Sequence, residues 1–226
     1  MRREKTSVSQ EDYLKAILEI VQEEQVPISA RLAEDLDVTP PAVTAALKRM
    51  TRSGYLRVLR NGRIELSAKG KHIAAHLVLR HRLAEKLLTD VIGLEWSRAH
   101  EEAERLEHGI STEVAALLLK RFGTASRCPH GVPLLGGMSN LRRKSGAMRL
   151  SECEPGHSYE ILRVYEKDAR FLEFLESLHL RPGARFRIHR REYDETMKLS
   201  VEGRRAAPVH LGKPATSRIW VRRTSA

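Results

Sequence analysis

Three short helical patterns followed by an Asn-Gly turn leave the first third of this chain few folds to adopt. Ser9-Gln10-Glu11-Asp12 reads as a helix start, with serine as the N-cap and an acid three residues on. Tyr13, Leu14, Ile17, Leu18 and Val21 then recur at helical period. Pro27 closes that element, and Ser29 opens a short helix through Ala30, Leu32, Ala33 and Leu36. After the turn Asp37-Val38-Thr39, Thr39 caps a third helix with Pro40 at its first position, where the missing N–H costs nothing. Val43, Ala46, Leu47 and Met50 form its buried stripe and Gly54 ends it. Residues 55–59 and 64–66 read as strands joined by Arg60-Asn61-Gly62-Arg63, and Asn-Gly favours the left-handed conformations of a tight hairpin. Helix, helix, turn, helix and hairpin in this order predict a winged helix-turn-helix over residues 1–75.

Ser67 starts a long helical pattern through Ile73, Leu77, Leu79, Leu83, Leu87 and Leu88, ending near Gly93. Further helices are expected over residues 97–110 and 111–122, the last with an apolar stripe at Val114, Leu117 and Leu118. Residues 76–125 are therefore expected to be a helical domain, and residues 126–150, rich in Gly, Pro and Ser, a linker. From residue 151 the pattern turns to short strands, at 159–164, 186–188 and 219–221, around one helical piece at 171–178. This predicts a small β-barrel over residues 151–226. The fold class is mainly α with small β.

Metal-type side chains stand at helical spacing in the middle of the chain. His81 and Glu85 are four residues apart, and His100, Glu104, Glu107 and His108 follow at offsets of four, three and one. Residues three and four apart share a helix face, so each set can aim imidazole and carboxylate at one point. Three like-charged or desolvated groups such as Glu104, Glu107 and His108 cost energy together unless a cation offsets them. Carboxylate and imidazole suit Mn, Fe or Zn, and the hard oxygens lean toward Mn(II). Single residues also have blander readings. Asp12 suits the first turn of any helix, and Glu85 can pair with Arg82 or Lys86.

The chain has 226 residues, two cysteines (Cys128 and Cys153) and a net charge of +11. The cysteines are too few for a disulfide framework and fit a reducing compartment. With no membrane-length apolar run and no signal peptide, a cytoplasmic protein with no membrane partner is expected. The charge points to a polyanion, but residues 126–226 hold 20 basic and 11 acidic side chains against 13 and 10 in residues 1–75. Bulk charge therefore does not mark the DNA-binding segment; the helix pattern does. The second helix of a helix-turn-helix meets base edges with its N-terminal residues. Here these are Thr39, Pro40, Pro41, Ala42, Thr44 and Ala45, small side chains with little hydrogen-bonding capacity, so modest direct readout is expected. Lys48, Arg49 and Arg52 further along suit phosphates, and Arg60 and Arg63 on the wing tip suit the neighbouring groove or backbone.

On these residues the chain resembles the DtxR/MntR family of metal-dependent transcriptional repressors. The likeness is densest in Glu11-Asp12-Tyr13-Leu14, in residues 81–88 and in residues 100–108. It implies a winged helix, a helical dimerisation domain and, in longer members, a C-terminal Src-homology-3-like barrel related to FeoA domains. It also implies a homodimer on a palindromic double-stranded DNA operator when metal is bound. A first metal site then falls on Asp12, Glu104, Glu107 and His108, with His81 nearby or included. Iron-type members carry methionine and cysteine at the positions of Asp12 and Glu104, whereas manganese-type members carry these acids, so Mn(II) is expected, with Fe(II) or another divalent ion as the alternative. Lys15 departs from a two-metal manganese member, which has glutamate there. A second site is implied at Glu85, Cys128, His130 and an acid of the barrel, Asp168, with His100 matching a second-site ligand of iron-type members.

Other readings have distinguishing marks. An iron sensor of the same architecture would prefer Fe(II) in competition. A metal-independent winged-helix regulator would tolerate loss of Glu104. A metallohydrolase lacks support, because the chain has no HExxH motif and no evident nucleophile.

Overall fold

The computed structural model describes residues 6–136, 145–203 and 207–224. It divides into two compact units, the first comprising Met1–His81 with Glu107–Ala115, the second Arg82–Leu106 with Ala116–Ala226.

In the first unit, α1 (Val8–Gln22), α2 (Ser29–Asp35) and α3 (Pro40–Arg52) precede β1 (Leu56–Val58) and β2 (Ile64–Leu66). The strands are antiparallel, with Leu56 opposite Leu66 and Val58 opposite Ile64. This is the expected winged helix-turn-helix. The start of α1 differs from expectation. Its cap is Ser7, not Ser9: the Ser7 hydroxyl accepts from the Gln10 N–H and the Gln10 side chain accepts from the Ser7 N–H. Glutamine is long enough to reach back to the cap backbone and aspartate is not, which is why a capping box wants Glu or Gln at its third position. Asp12 is thereby released from capping and sits in the second turn.

Leu14, Ile17, Leu32, Val43, Met50 and Ile64 are fully buried together. Each such side chain contributes about 1.5–3 kcal/mol by leaving water. The start of α4 (Ala68–Asp90) presses on the β1 end so closely that a Cβ at Gly70 would lie 2.1 Å from the Tyr55 carbonyl oxygen. The wing turn is built as its residues require, with Gly62 at φ +79° and the Asn61 side chain accepting from the Arg63 N–H.

After α4 come α5 (Trp96–Leu106), a 3-10 turn (Glu107–Gly109) and α6 (Thr112–Phe122). In the second unit the chain then forms β3 (Met148–Arg149), β4 (Ser158–Val164), α7 (Ala169–Ser177), β5 (Arg185–Arg191), β6 (Met197–Val201), β7 (Val209–Leu211), α8 (Lys213–Thr216) and β8 (Ile219–Arg223). The strands make one antiparallel sheet in the order β3-β8-β4-β5-β6-β7. β3, β6 and β7 were not expected from the sequence. Ile161, Val164, Leu172, Phe186, Ile188, Leu199 and Val221 fill its core, joined by Trp96 from α5.

The expected linker is folded at its start. Residues 126–134 form a tight hairpin, with the Leu134 N–H on the Ser126 carbonyl and the Cys128 N–H on the Val132 carbonyl. Cys128, His130, Val132 and Leu134 are buried. Loop segments bury only where their backbone groups find partners, and here strand β4 supplies one through the Val164 N–H on the His130 carbonyl. Residues 137–144 of the expected linker lie outside the described residues.

Candidate metal centres

Among the described residues, one cluster of metal-type side chains lies wholly within the first unit and one wholly within the second. In the first, Asp12, Glu107 and His108 bring ligand atoms within 4.8 Å of one another. Asp12 rides on α1 and the other two on the 3-10 turn after α5, with His108 96 residues later in the chain. His108 Nε2 lies 2.9 Å from Asp12 Oδ1, and Nδ1 lies 3.0 Å from Glu11 Oε2. When Nδ1 donates its proton to Glu11, Nε2 presents its lone pair beside Asp12, the tautomer that a ligating histidine needs. Glu107 is buried, with Oε2 only 2.6 Å from His81 Nδ1. Lys15, itself 5% exposed, donates to both Glu107 oxygens at 2.8 and 3.0 Å and lies 3.1 Å from His81 Nδ1. Burial pushes the Glu107 carboxyl upward, but the His81 hydrogen bond and the Lys15 charge outweigh it and hold the group below its ordinary range. Asp12 goes the other way, raised by burial against the opposing pull of His108.

Of the residues expected here, the structure brings together Asp12, His81, Glu107 and His108. Glu104 is not among the converging residues. It is half exposed, and its carboxylate is 3.6 Å from His100 Nε2, one helical turn away on α5. Glu104 lies on α5, which ends at Leu106, whereas Glu107 belongs to the 3-10 turn that follows. Glu11 was not expected in the site. Its only sequence signal was adjacency to Asp12.

The second cluster comprises Glu85, Cys128 and His130, with ligand atoms within 4.8 Å. Glu85 Oε1 lies 3.1 Å from His130 Nδ1 and 3.3 Å from His100 Nδ1. His130 Nε2–H donates to the Trp96 carbonyl at 3.0 Å, which leaves Nδ1 facing Glu85 and Cys128. This cluster is sealed, with His130 at 0%, Glu85 at 1% and Cys128 at 4% exposure. Burial and the Glu85 charge push the Cys128 thiol up to about 11. Burial works against the His130 imidazolium, but Glu85 and Cys128 raise it well above the ordinary histidine value.

The barrel acid expected here, Asp168, has another task. It caps α7 by accepting from the Phe171 N–H and pairs with Arg218 at 2.8 Å. The acid that acts on the cluster is Glu166. Burial raises its carboxyl, yet the adjacent Arg163 guanidinium, 3.2 Å away, holds it below its ordinary range, and its charge is felt at Glu85, His130 and His100. Gly131 makes the hairpin possible. At φ +93°, a Cβ there would lie 2.0 Å from the Leu162 carbonyl oxygen. Arg82 clasps the hairpin through the Pro133 and Gly136 carbonyls at 3.0 and 2.7 Å.

The expected DNA-facing residues are exposed. On α3 these are Pro40, Pro41, Ala42, Thr44, Ala45, Lys48, Arg49 and Arg52, with Thr39 before them and Arg60 and Arg63 on the wing. The Thr44 hydroxyl donates to the Pro40 carbonyl at 3.0 Å. Arg57, a wing residue not singled out from the sequence, pairs with Glu65 at 2.6 Å.

Fold and sites together define a winged-helix protein with an acid-and-imidazole centre in its DNA-binding unit and a second donor cluster beside a small barrel. Comparison with known proteins makes this specific. Residues 5–62 match the N-terminal DNA binding domain of iron dependent repressors, residues 67–135 their metal binding and dimerisation domain, and residues 148–223 the FeoA domain. The chain is 42% identical over 196 residues to the diphtheria toxin repressor of Corynebacterium jeikeium, covering 77% of this chain and 82% of that one. It is 42% identical over 126 residues to the iron-dependent repressor IdeR of Mycobacterium leprae, a match spanning 56% of this chain and about half (55%) of that relative's length. Among solved structures, a manganese-dependent transcriptional repressor in complex with manganese superposes with a TM-score of 0.83 at 27% identity, covering 95% of this chain and 100% of that one. The IdeR of T. acidophilum superposes at 0.75 with 29% identity, covering 97% and 100%. The chain belongs to the iron-dependent repressor family, whose members are regulators and not enzymes. No helix among the described residues is long and apolar enough to cross a membrane.

Proposed function

We propose that this protein is a metal-dependent transcriptional repressor that binds a palindromic operator as a homodimer when its first cluster holds Mn(II). The observation that carries the reading is the convergence of Asp12 on α1 with Glu107 and His108. Oxygen, oxygen and imidazole nitrogen form a donor set suited to a divalent ion, and the absence of sulfur among them favours Mn(II). A bound ion would supply the positive charge that lets these carboxylates stay together. The chain's own residues do the rest. Glu11 orients His108, Lys15 and His81 hold Glu107, and α1 is thereby tied to the turn after α5. Since α1 packs on the same core as α3, fixing α1 fixes the recognition helix. Metal and operator then strengthen each other's binding by linkage.

On α6, Val114 and Leu117 are 44% and 61% exposed, an apolar stripe that supports a dimer face. The proposed layout is a DNA-binding domain over residues 1–75, a dimerisation and metal-binding domain over 76–125, a linker over 126–150 and a FeoA-like barrel over 151–226, in a protein working on DNA in the cytoplasm. The second cluster, Glu85, Cys128, His130 and Glu166 with His100 beside them, is proposed as a further metal site. Fe(II) is the second reading, favoured by the likeness to iron-dependent relatives. Anisotropy titration of operator duplex with and without Mn(II), and anaerobically against Fe(II), tests both. Tightening by Mn(II) is expected, and equal affinity with and without metal defeats the switch.

A further inference from the structure

Most of the chain's positive excess lies beyond residue 125, outside the winged helix. In the barrel it gathers on one face of the sheet. Phe186, Ile188, Leu199 and Val209 point into the core, so the alternate residues of β5, β6 and β7 point to water. Arg187 stands across from Ser158 on β4 and Ser200 on β6. Past the irregularity in β5, Arg190 stands across from Lys198, and Lys198 is in turn across from His210 on β7. Arg185 stands across from Glu160, but Glu160 is already paired with Arg222 at 2.9 Å. Glu192 pairs with Arg190 at one end of the face. Arg185, Arg187 and Lys198 make no side-chain hydrogen bond or ion pair among the described residues.

Like charges directly across a strand pair destabilise a sheet, so the row Arg190, Lys198, His210 works against folding. Basic side chains often guard an open sheet edge against pairing. That role does not fit here, because β5 and β6 lie inside the strand order, between β4 and β7. The segments outside the described residues do not bring the missing anion. They include Arg142, Arg143, Lys144, Arg204 and Arg205, and their one acid is Glu4. The partner is therefore an external polyanion. The same chain carries a DNA-binding domain, which keeps the barrel at high local concentration near duplex. Side chains two residues apart on a strand stand about 6.8 Å apart, so Arg185 and Arg187 can meet different phosphates.

We propose that the outward face of β5 and β6 is a second DNA surface, which holds the phosphates of a duplex without reading its sequence. The inference rests on DNA binding by this chain and not on the metal switch.

The test is anisotropy of a fluorescent duplex of arbitrary sequence, titrated with the full-length Mn(II)-loaded protein over a salt series. Each phosphate contact adds about 0.9 to the slope of log affinity against log salt. Between about 50 and 200 mM salt, the affinity of Arg185→Gln/Arg187→Gln/Lys198→Gln should fall about fortyfold less than that of wild type. Arg185→Lys/Arg187→Lys keeps the charges and is expected to keep the wild-type slope. Should the triple variant not fold, Lys198→Gln alone is expected to shift the same comparison about threefold. A wild-type slope in the glutamine variants overturns the proposal. So does a variant that keeps its duplex slope but loses binding to vesicles of anionic phospholipid, which would make the face a membrane surface. Stronger competition by single-stranded RNA than by duplex at this face overturns it in favour of RNA. If wild type binds no duplex at low salt, the repressor reading falls with this one. Equal operator affinity with and without Mn(II) defeats the switch alone and leaves the salt comparison to decide the barrel.

Discussion

The two donor clusters are built from similar side chains and differ in access and in protons. The first is partly open, with the side chains of Asp12 and His108 39% and 18% exposed. Its central acid is already held ionised by Lys15 and His81. The second is sealed, and its surroundings push both the Cys128 thiol and the His130 imidazole toward their protonated forms. Each contains a resident cation, an ammonium in the first and the Arg163 guanidinium beside Glu166 in the second. The lesson is that donor type alone does not make two sites alike. On the proposed reading, the first would exchange ions with solvent, whereas the second would bind them only with proton release and the opening of its cover.

The strongest way to break this comparison is Gly131→Ala. The new Cβ meets the Leu162 carbonyl and the residue must hold a positive φ, so a loss of about 3 kcal/mol or more is expected in denaturant unfolding of the second unit. Mn(II) binding at the first cluster should survive in the folded fraction. Wild-type stability in this variant would show that the hairpin is not seated as described.

Proton linkage sharpens the contrast further. Metal binding at the second cluster releases the thiol proton, so its apparent affinity should rise with pH by about tenfold per unit between neutrality and pH 9. Cys128→Ser, which removes that proton, should flatten the slope. The first cluster, with Glu107 already ionised, should respond less steeply over the same range. Isothermal titration in two buffers of different ionisation enthalpy would count the protons directly. Equal proton release at the two clusters would erase the distinction. The sign for metal-free stability is the reverse at His130. Its raised folded value gives stability that is present below the ordinary histidine value of 6.5 and lost as pH rises through the folded one. Glu107, held low, gives stability present above 4.5 and lost as pH falls through its folded value.

The smallest expected effect is at Glu11. Glu11→Gln keeps the shape but weakens the hold on His108 Nδ1, and a loss of about tenfold in Mn(II) affinity at the first cluster is expected by dialysis, with the second unchanged.

Much of the first unit was legible because local rules agree there. Pro40 at a helix start, Asn61-Gly62 between two strands and the Val43-Ala46-Leu47-Met50 stripe all point to one fold. The cap of α1 misled because Ser9-x-x-Asp12 and Ser7-x-x-Gln10 overlap, and only side-chain reach separates them. Three strands escaped notice because β3, β6 and β7 are two, five and three residues long, too short to show a period. At the sites, spacing grouped Glu104 with Glu107, and it could not show that Glu104 lies on α5 beside His100 while Glu107 belongs to the turn after it. Asp168 and Glu166 are two residues apart, and spacing could not say which turns inward. An N-cap rule could have, since aspartate is favoured at a helix start and the longer acid was then left over.

Gly131 has a consequence for the time at which each centre comes into being. The hairpin that carries Cys128 and His130 rests on the carbonyl of Leu162, and the acid that completes its surroundings is Glu166. A ribosome extends a chain by roughly 5–20 residues each second. All donors of the first cluster have been made once His108 is added. Glu85, Cys128 and His130 follow by residue 130, but the Leu162 carbonyl under their hairpin and the acid Glu166 come later still, so the first cluster and its surroundings leave the ribosome before those of the second.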